Sequence, residues 1–278
     1  MAEETKTGNT YNIIPPCFDE PIKAVLTPSA RQIGSFFGDL IMMATSKIHF
    51  SAEKMRLQQA HDLEMFKNDL NKKLNEKPSE QLVEPRMQVA GQAIENAKFC
   101  LGEPQIREMF LNLLANSADE RYQGQVHPSF SAMIAQMSPL DAENLSLFQN
   151  REQFPIVEYR FNLFDDTYQI VNTNYFVANR NMRSDEDRVL LQAPSLSSLE
   201  RQKLLEISYT ISIPNDELYR EFEETDLMKN MQKRVSSKPQ DNFQHPRDDK
   251  KIVEAEAVRG IVKLTPLGKA FIKVCFKS

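Results

Sequence analysis

The sequence predicts a mainly α protein of the α+β class: an N-terminal multi-helix body followed by a C-terminal part that carries a small antiparallel sheet. Three observations predict it. Apolar residues recur at helical spacing from about Pro28 to Asn150, alternation with a period of two begins at Val157, and prolines stand repeatedly where a helix would start. The chain accordingly divides into an extended arm over residues 1–27, a helical domain over 28–150 and an α+β domain over 151–278 with a mobile loop near 235–250.

The arm joins a polar, acidic start to Ile13, Ile14, Pro15 and Pro16, a composition suited to extended backbone. From Ser29 to Phe50, the residues Ile33, Phe36, Phe37, Leu40, Ile41, Ala44 and Ile48 form one broad apolar stripe, which makes this the most apolar helix of the chain. Ala52 to Lys77 is a long amphipathic helix on Leu63, Phe66, Leu70 and Leu74, stopped by Pro78. A third helix spans Pro85 to Leu101, with Gly102 placed for a left-handed cap. Pro104 opens a fourth, whose Ile106, Met109, Phe110, Leu113 and Leu114 make a narrow apolar face. Pro128 and Pro139 fit first helical turns in the same way, and Ser138 with Asp141 approximates a capping box.

In the C-terminal part, Val157, Tyr159, Phe161 and Leu163 alternate with Glu158, Arg160 and Asn162, as a half-buried strand requires. Residues 168–177 form a second strand, and Asp165 and Asp166 turn the two into a hairpin. After a polar loop near 180–187, Leu196, Leu199, Leu204 and Leu205 mark a short helix, residues 207–213 a strand and residues 216–231 a mostly solvated helix. Beyond the polar stretch, Val253, Ala255 and Ala257 alternate with charge, Gly260 permits a turn or bulge, and residues 261–264 resume as strand. Thr265 and Pro266 then start a last helix with Leu267, Phe271, Val274 and Cys275 inward. This helix, strand, strand, helix order makes the C-terminal part winged-helix-like in expectation.

Composition narrows the function. A 278-residue chain with 41% hydrophobic and 26% charged residues falls in the globular range, and a net charge of -5 argues against a surface built mainly to neutralise phosphates. Cys17, Cys100 and Cys275 lie too far apart for a disulfide framework or a zinc site, and no charged segment leads into an apolar stretch at the start, so a cytoplasmic location is expected. The eight glycines form neither a Walker loop nor a dinucleotide fingerprint. No cofactor, metal or catalytic residue is therefore expected, and the reading is non-enzymatic.

Several residues remain candidates for contact. His61 and Glu64 are an i, i+3 pair without a second such pair, which reads as solvated surface. His127, before Pro128, suits the orientation of a helix start, and Cys100 suits a small buried side chain. Arg107, Glu108 and Asn112 flank the apolar face of the fourth helix as interaction or packing residues. Ile33, Gly34, Phe37, Gly38 and Ile41 mark an oligomer or membrane helix, although Asp39, Lys47 and His49 leave it too short and too charged to span a bilayer. For nucleic acid, the candidate contacts are Arg201 and Lys203, on a helix around 195–206 that also holds Glu200 and Glu206, with Lys233, Arg234 and Arg247.

The run Ile106-Arg107-Glu108-Met109-Phe110-Leu111-Asn112-Leu113-Leu114-Ala115-Asn116-Ser117, followed by His127-Pro128-Ser129-Phe130 and Ser138-Pro139, resembles the Abi-alpha family, named for bacterial abortive infection. Leu199-Glu200-Arg201, Leu204-Leu205-Glu206-Ile207 and the run from Gly260 to Lys269 continue the likeness, which covers roughly Pro28 to Cys275. The resemblance implies a role in bacterial or prophage-encoded antiviral defence and carries over no catalytic residues. The expected protein is thus a non-enzymatic component of phage resistance acting through protein contacts, with a protein partner or a homo-oligomer. A winged-helix nucleic-acid-binding regulator is the alternative, and a membrane-acting effector through the 33–44 helix is a third.

Overall fold

Apolar residues at three- and four-residue steps become helix throughout the N-terminal half. The computed structural model describes residues 28–45, 53–177, 186–237 and 252–276. The first six helices are α1 (Ala30–Thr45), α2 (Glu53–Asn75), α3 (Met87–Ala97), α4 (Pro104–Ser117), α5 (Phe130–Ala135) and α6 (Pro139–Ser146). The expected capping box is present: the Asp141 N–H donates to Ser138 Oγ at 3.1 Å and the Ser138 N–H to Asp141 Oδ2 at 2.9 Å. Pro104 occupies the first turn of α4, as its position predicts.

The centre of the body is α4. It touches α2, α3, α5 and α6 and buries Leu111, Asn112, Ala115 and Ser117 besides the expected apolar face, so that face is broad rather than narrow. Gly102 does not cap α3. That helix ends at Ala97, the Lys98 N–H bonds back to Ile94, and no described glycine has a positive φ.

The C-terminal part carries β1 (Gln153–Leu163), β2 (Tyr168–Tyr175), α7 (Glu186–Arg201), β3 (Leu205–Ser208), α8 (Glu217–Glu223), α9 (Asp226–Ser236), β4 (Ile252–Leu264) and α10 (Pro266–Cys275). One antiparallel sheet runs in the order β2-β1-β4-β3, with Val157 opposite Arg259, Ile156 opposite Gly260 and Leu205 opposite Leu264. The hairpin is as expected, and Asp166 takes the left-handed turn conformation at φ 58. Thr265 caps α10 by accepting from the Gly268 N–H at 2.9 Å.

Four expectations change here. The helix around 195–206 is longer at its start and shorter at its end: α7 begins at Glu186, runs through Pro194 and stops at Arg201, and Lys203 at φ 60 turns the chain into β3. The strand expected over 207–213 is only Leu205–Ser208. The helix expected over 216–231 is two helices, because Thr225 stops the first and caps α9, its Oγ1 accepting from the Met228 N–H at 3.2 Å. α9 is mostly solvated as expected, but each of the two helices turns one side inward, where Tyr219, Phe222, Met228 and Met231 are buried in one cluster with Val157, Tyr159 and Phe161. Finally, β4 passes straight through Gly260: a Cβ there would lie 2.5 Å from the Tyr209 ring, so the glycine permits a close approach rather than a turn. The extended arm and most of the polar stretch over 235–250 lie outside the described residues; α9 extends to Ser236.

The larger core crosses position 150. It joins Phe37, Phe66, Phe110 and Phe130 to Phe176, Leu196, Val262 and Phe271, with Phe130 and Phe271 edge to face at 5.0 Å. This places the end of α10 against the helical body.

Candidate functional site

Side chains four residues apart line up on one face of a helix. Along α2 and the turn after it stand Asp69, Lys73 and Lys77; along α4 stand Glu108, Asn112 and Asn116. The two rows face each other. Lys73 Nζ donates to Glu108 Oε1 at 2.7 Å and to Asn112 Oδ1 at 2.8 Å. One turn on, Lys77 Nζ donates to Asn116 Oδ1 at 2.8 Å and to Asp119 Oδ2 at 2.6 Å, and at the other end Arg107 pairs with Asp69.

The asparagines carry the seam to a third helix. The Asn112 amide donates to the Cys275 carbonyl at 3.1 Å, and the Asn116 amide donates to the Val274 carbonyl at 2.7 Å. These carbonyls close α10 and belong to the last turn, where no intrahelical donor exists. Two side chains from α4 therefore cap α10, and two lysines hold those side chains in place.

Asp119 anchors the far end. Its side chain is fully buried and accepts from Arg121 Nε at 3.0 Å, Arg121 Nη2 at 2.7 Å and the Arg121 N–H at 3.1 Å, besides Lys77. Burial pushes its pKa up, but the hydrogen bonds from Arg121 and Lys77 and the Lys77 charge outweigh this and hold it at about 2. The Lys77 ammonium also lies 5.2 Å from the centre of the Tyr122 ring.

Of the sequence candidates, Arg107, Glu108 and Asn112 come together in this seam. Asp69, Lys73, Lys77, Asn116 and Asp119 are the members that sequence reasoning missed. His127 stands apart and exposed, its Nδ1 2.7 Å from Ser129 Oγ and accepting from the Ser129 N–H at 3.2 Å, so it orients the start of α5. His61 and Glu64 are exposed. Cys100 is half-buried and Cys275 buried, and burial pushes both thiols up.

The α1 stripe is used inside the body. Ile33, Phe37 and Ile41 are buried in the main core, while a Cβ at Gly34 would meet Asn71 and one at Gly38 would lie 3.3 Å from Lys67 Cε, both on α2. The small residues thus serve the α1–α2 approach. Among the described residues, no helix is long and apolar enough to cross a membrane. The nucleic-acid candidates do not form one patch. Arg201 and Lys203 are exposed beside the Leu264 end of β4, whereas Arg234 stacks on Phe161, which pairs with Ala255 near the other end of that strand; exposed Lys233 precedes Arg234 on α9. Arg247 lies outside the described residues.

The seam's helices contain the run from Ile106 to Ser117, and the family model described as abortive infection alpha matches residues 58–275. The chain belongs to the abortive infection alpha family. The match takes in α4, the whole sheet and α10, so every contact of the seam lies within the family region. No curated protein and no solved structure matches the chain. Membership in this family gives the protein a place in abortive infection, and the seam is what joins the two ends of the family region.

Proposed function

We propose that this member of the abortive infection alpha family is a non-enzymatic defence component that acts through protein contacts. The observation that carries the reading is the β1–β2 hairpin. Phe164 is 77% exposed, and Tyr168, Ile170 and Val171 stand between 40% and 55% exposed on the same hairpin. Large apolar side chains close together in sequence at the turn and edge strand of one hairpin mark a contact surface, because single exposed apolar residues are ordinary but clusters are not. Their chemistry, aromatic and aliphatic, is that of an interface centre.

The seam supports the same reading from the other side. It fixes α10 to the helical body by side-chain bonds to backbone carbonyls, which ties the end of the chain that follows β4 to the helices and steadies the sheet that carries the hairpin.

The test is expression in a phage-sensitive bacterium, with the wild-type chain beside the double variant Phe164→Ser, Ile170→Thr. The wild type should lower phage plating efficiency, and the variant should restore it with an unchanged thermal midpoint. Equal plating with and without the wild-type chain overturns the defence role for that host and phage set. Full protection by the folded variant overturns the hairpin as the contact surface.

A second reading makes the C-terminal part a winged-helix nucleic-acid-binding regulator. The adjacent exposed cations Arg201 and Lys203, at the turn between α7 and β3, support it. Gel shift on mixed DNA and RNA at low salt tests it, and unretarded nucleic acid removes it.

A further inference from the structure

A cleft of about 410 Å³ lies between the connection that leads into β1 and the last two turns of α10. Its charge is opposite in sign to that of the chain. Arg151, Lys269 and Lys273 line it against one carboxylate, Glu152, in a protein whose net charge is -5. Its apolar side includes Phe148 and Phe276.

The three cations converge for structural reasons. Lys269 and Lys273 are four residues apart on α10, so both ammonium groups project from one helix face. Arg151 is brought opposite them because the Leu264 N–H donates to the Glu152 carbonyl at 2.9 Å, which fixes this stretch to the end of β4. The Arg151 guanidinium lies 4.8 Å from the centre of the Phe154 ring. Among the described residues, no hydrogen bond ties that guanidinium in this cation–π contact to a carboxylate, and its N–H groups suit an anion held in the two-pronged manner that matches phosphate. Lys269 is held by Glu152 at 2.7 Å, yet both side chains are at least half exposed, so that pair is weak and exchangeable.

We propose that this cleft binds a nucleotide-class ligand. The phosphates lie against Arg151, Lys269 and Lys273, and the flat base lies against Phe276 and its apolar neighbours. The volume falls within the range of small-molecule sites, and three cations lining the same cleft as Phe276 suit a ligand with an anionic head and a planar body. The inference stands apart from the hairpin contact: either can fail without the other.

Calorimetric titration of the full chain at low salt tests it, with ATP, tripolyphosphate, adenosine and a single-stranded oligonucleotide as separate probes. ATP should bind saturably, and tripolyphosphate and adenosine should each bind at least tenfold more weakly. The double variant Arg151→Ala, Lys273→Ala should weaken ATP at least tenfold with an unchanged thermal midpoint. If that variant fails to fold, Lys269→Gln replaces it under the same criterion. The proposal is overturned by absent ATP saturation, by tripolyphosphate binding as tightly as ATP, by an oligonucleotide binding more tightly than ATP, or by a smaller loss in the folded variant.

Discussion

Replacing Asp119 by Asn keeps the shape of the side chain and removes its charge, which makes it the sharpest probe of the seam. The folded carboxyl titrates at about 2, against its ordinary 3.8. At about 1.4 kcal/mol per pKa unit, this corresponds to about 2 kcal/mol of stability, allowing for the screening of the half-exposed Arg121. The substitution also leaves Lys77, only 13% exposed, without its counter-charge, and turns an NH2 group toward either Lys77 or Arg121, both of which donate. Breaking a buried pair costs about 3 kcal/mol, so the Asp119→Asn chain should lose about that amount at pH 7 and melt roughly 6–12 °C lower. The pH dependence carries the stronger signature. Because the folded pKa is depressed, the ion pair's contribution is complete above the ordinary carboxyl value and is lost as pH falls toward 2. Urea midpoints measured from pH 7 to pH 2.5 should therefore show the gap between wild type and variant closing below about pH 4. A gap under about 1 kcal/mol at pH 7, or one that stays constant to pH 2.5, would refute the buried pair.

Asn112→Ala removes the bonds to Lys73 and to the Cys275 carbonyl and should cost about 2 kcal/mol, read as a lowered thermal midpoint. Lost phage protection at an unchanged midpoint would instead make Asn112 a contact residue. Two glycines should respond differently to the same methyl group. At Gly268 it meets the Leu204 carbonyl oxygen, fixed backbone beside the α10 cap, and Gly268→Ala should cost about 3 kcal/mol by urea unfolding. At Gly34 it meets the side-chain end of Asn71, which can rotate away, and Gly34→Ala should cost under about 1 kcal/mol; equal losses would mean that the α1–α2 approach is as rigid as the α10 cap.

Much of the fold was legible because its signals are local. Pro104 and Pro139 stand in first turns, Ser138 and Asp141 close on each other three residues apart, and the alternation from Val157 to Leu163 is a strand that pairing with β4 extends back to Gln153. The misreadings have long-range causes. Pro194 hides the continuity of α7, since a proline argues for a break that surrounding packing overrides. Nothing local requires Tyr219, Phe222, Met228 and Met231 of α8 and α9 to be buried; what covers them is β1 and β4, drawn from positions some sixty or more residues before and about thirty residues after them. Gly260 looked like a turn because the Tyr209 ring that needs the room is far off in sequence.

The seam was half legible, and the missing half has one cause. Each ladder is periodic on its own helix: Asp69, Lys73 and Lys77 on one side, Glu108, Asn112 and Asn116 on the other. Their opposition depends on the relative rotation of α2 and α4, in which the buried Phe66, Leu70 and Leu74 take part, and the spacing of the polar residues on either helix does not reveal it. The partners that decide what the asparagines do are the backbone carbonyls of Val274 and Cys275. A carbonyl has no residue identity, so no spacing rule could have pointed from Asn112 to Cys275 across 163 positions. The seam's strongest constraint therefore bears on where α10 ends, because extending or shortening that helix by one residue would move the orphan carbonyls away from both amides while leaving the asparagines unchanged.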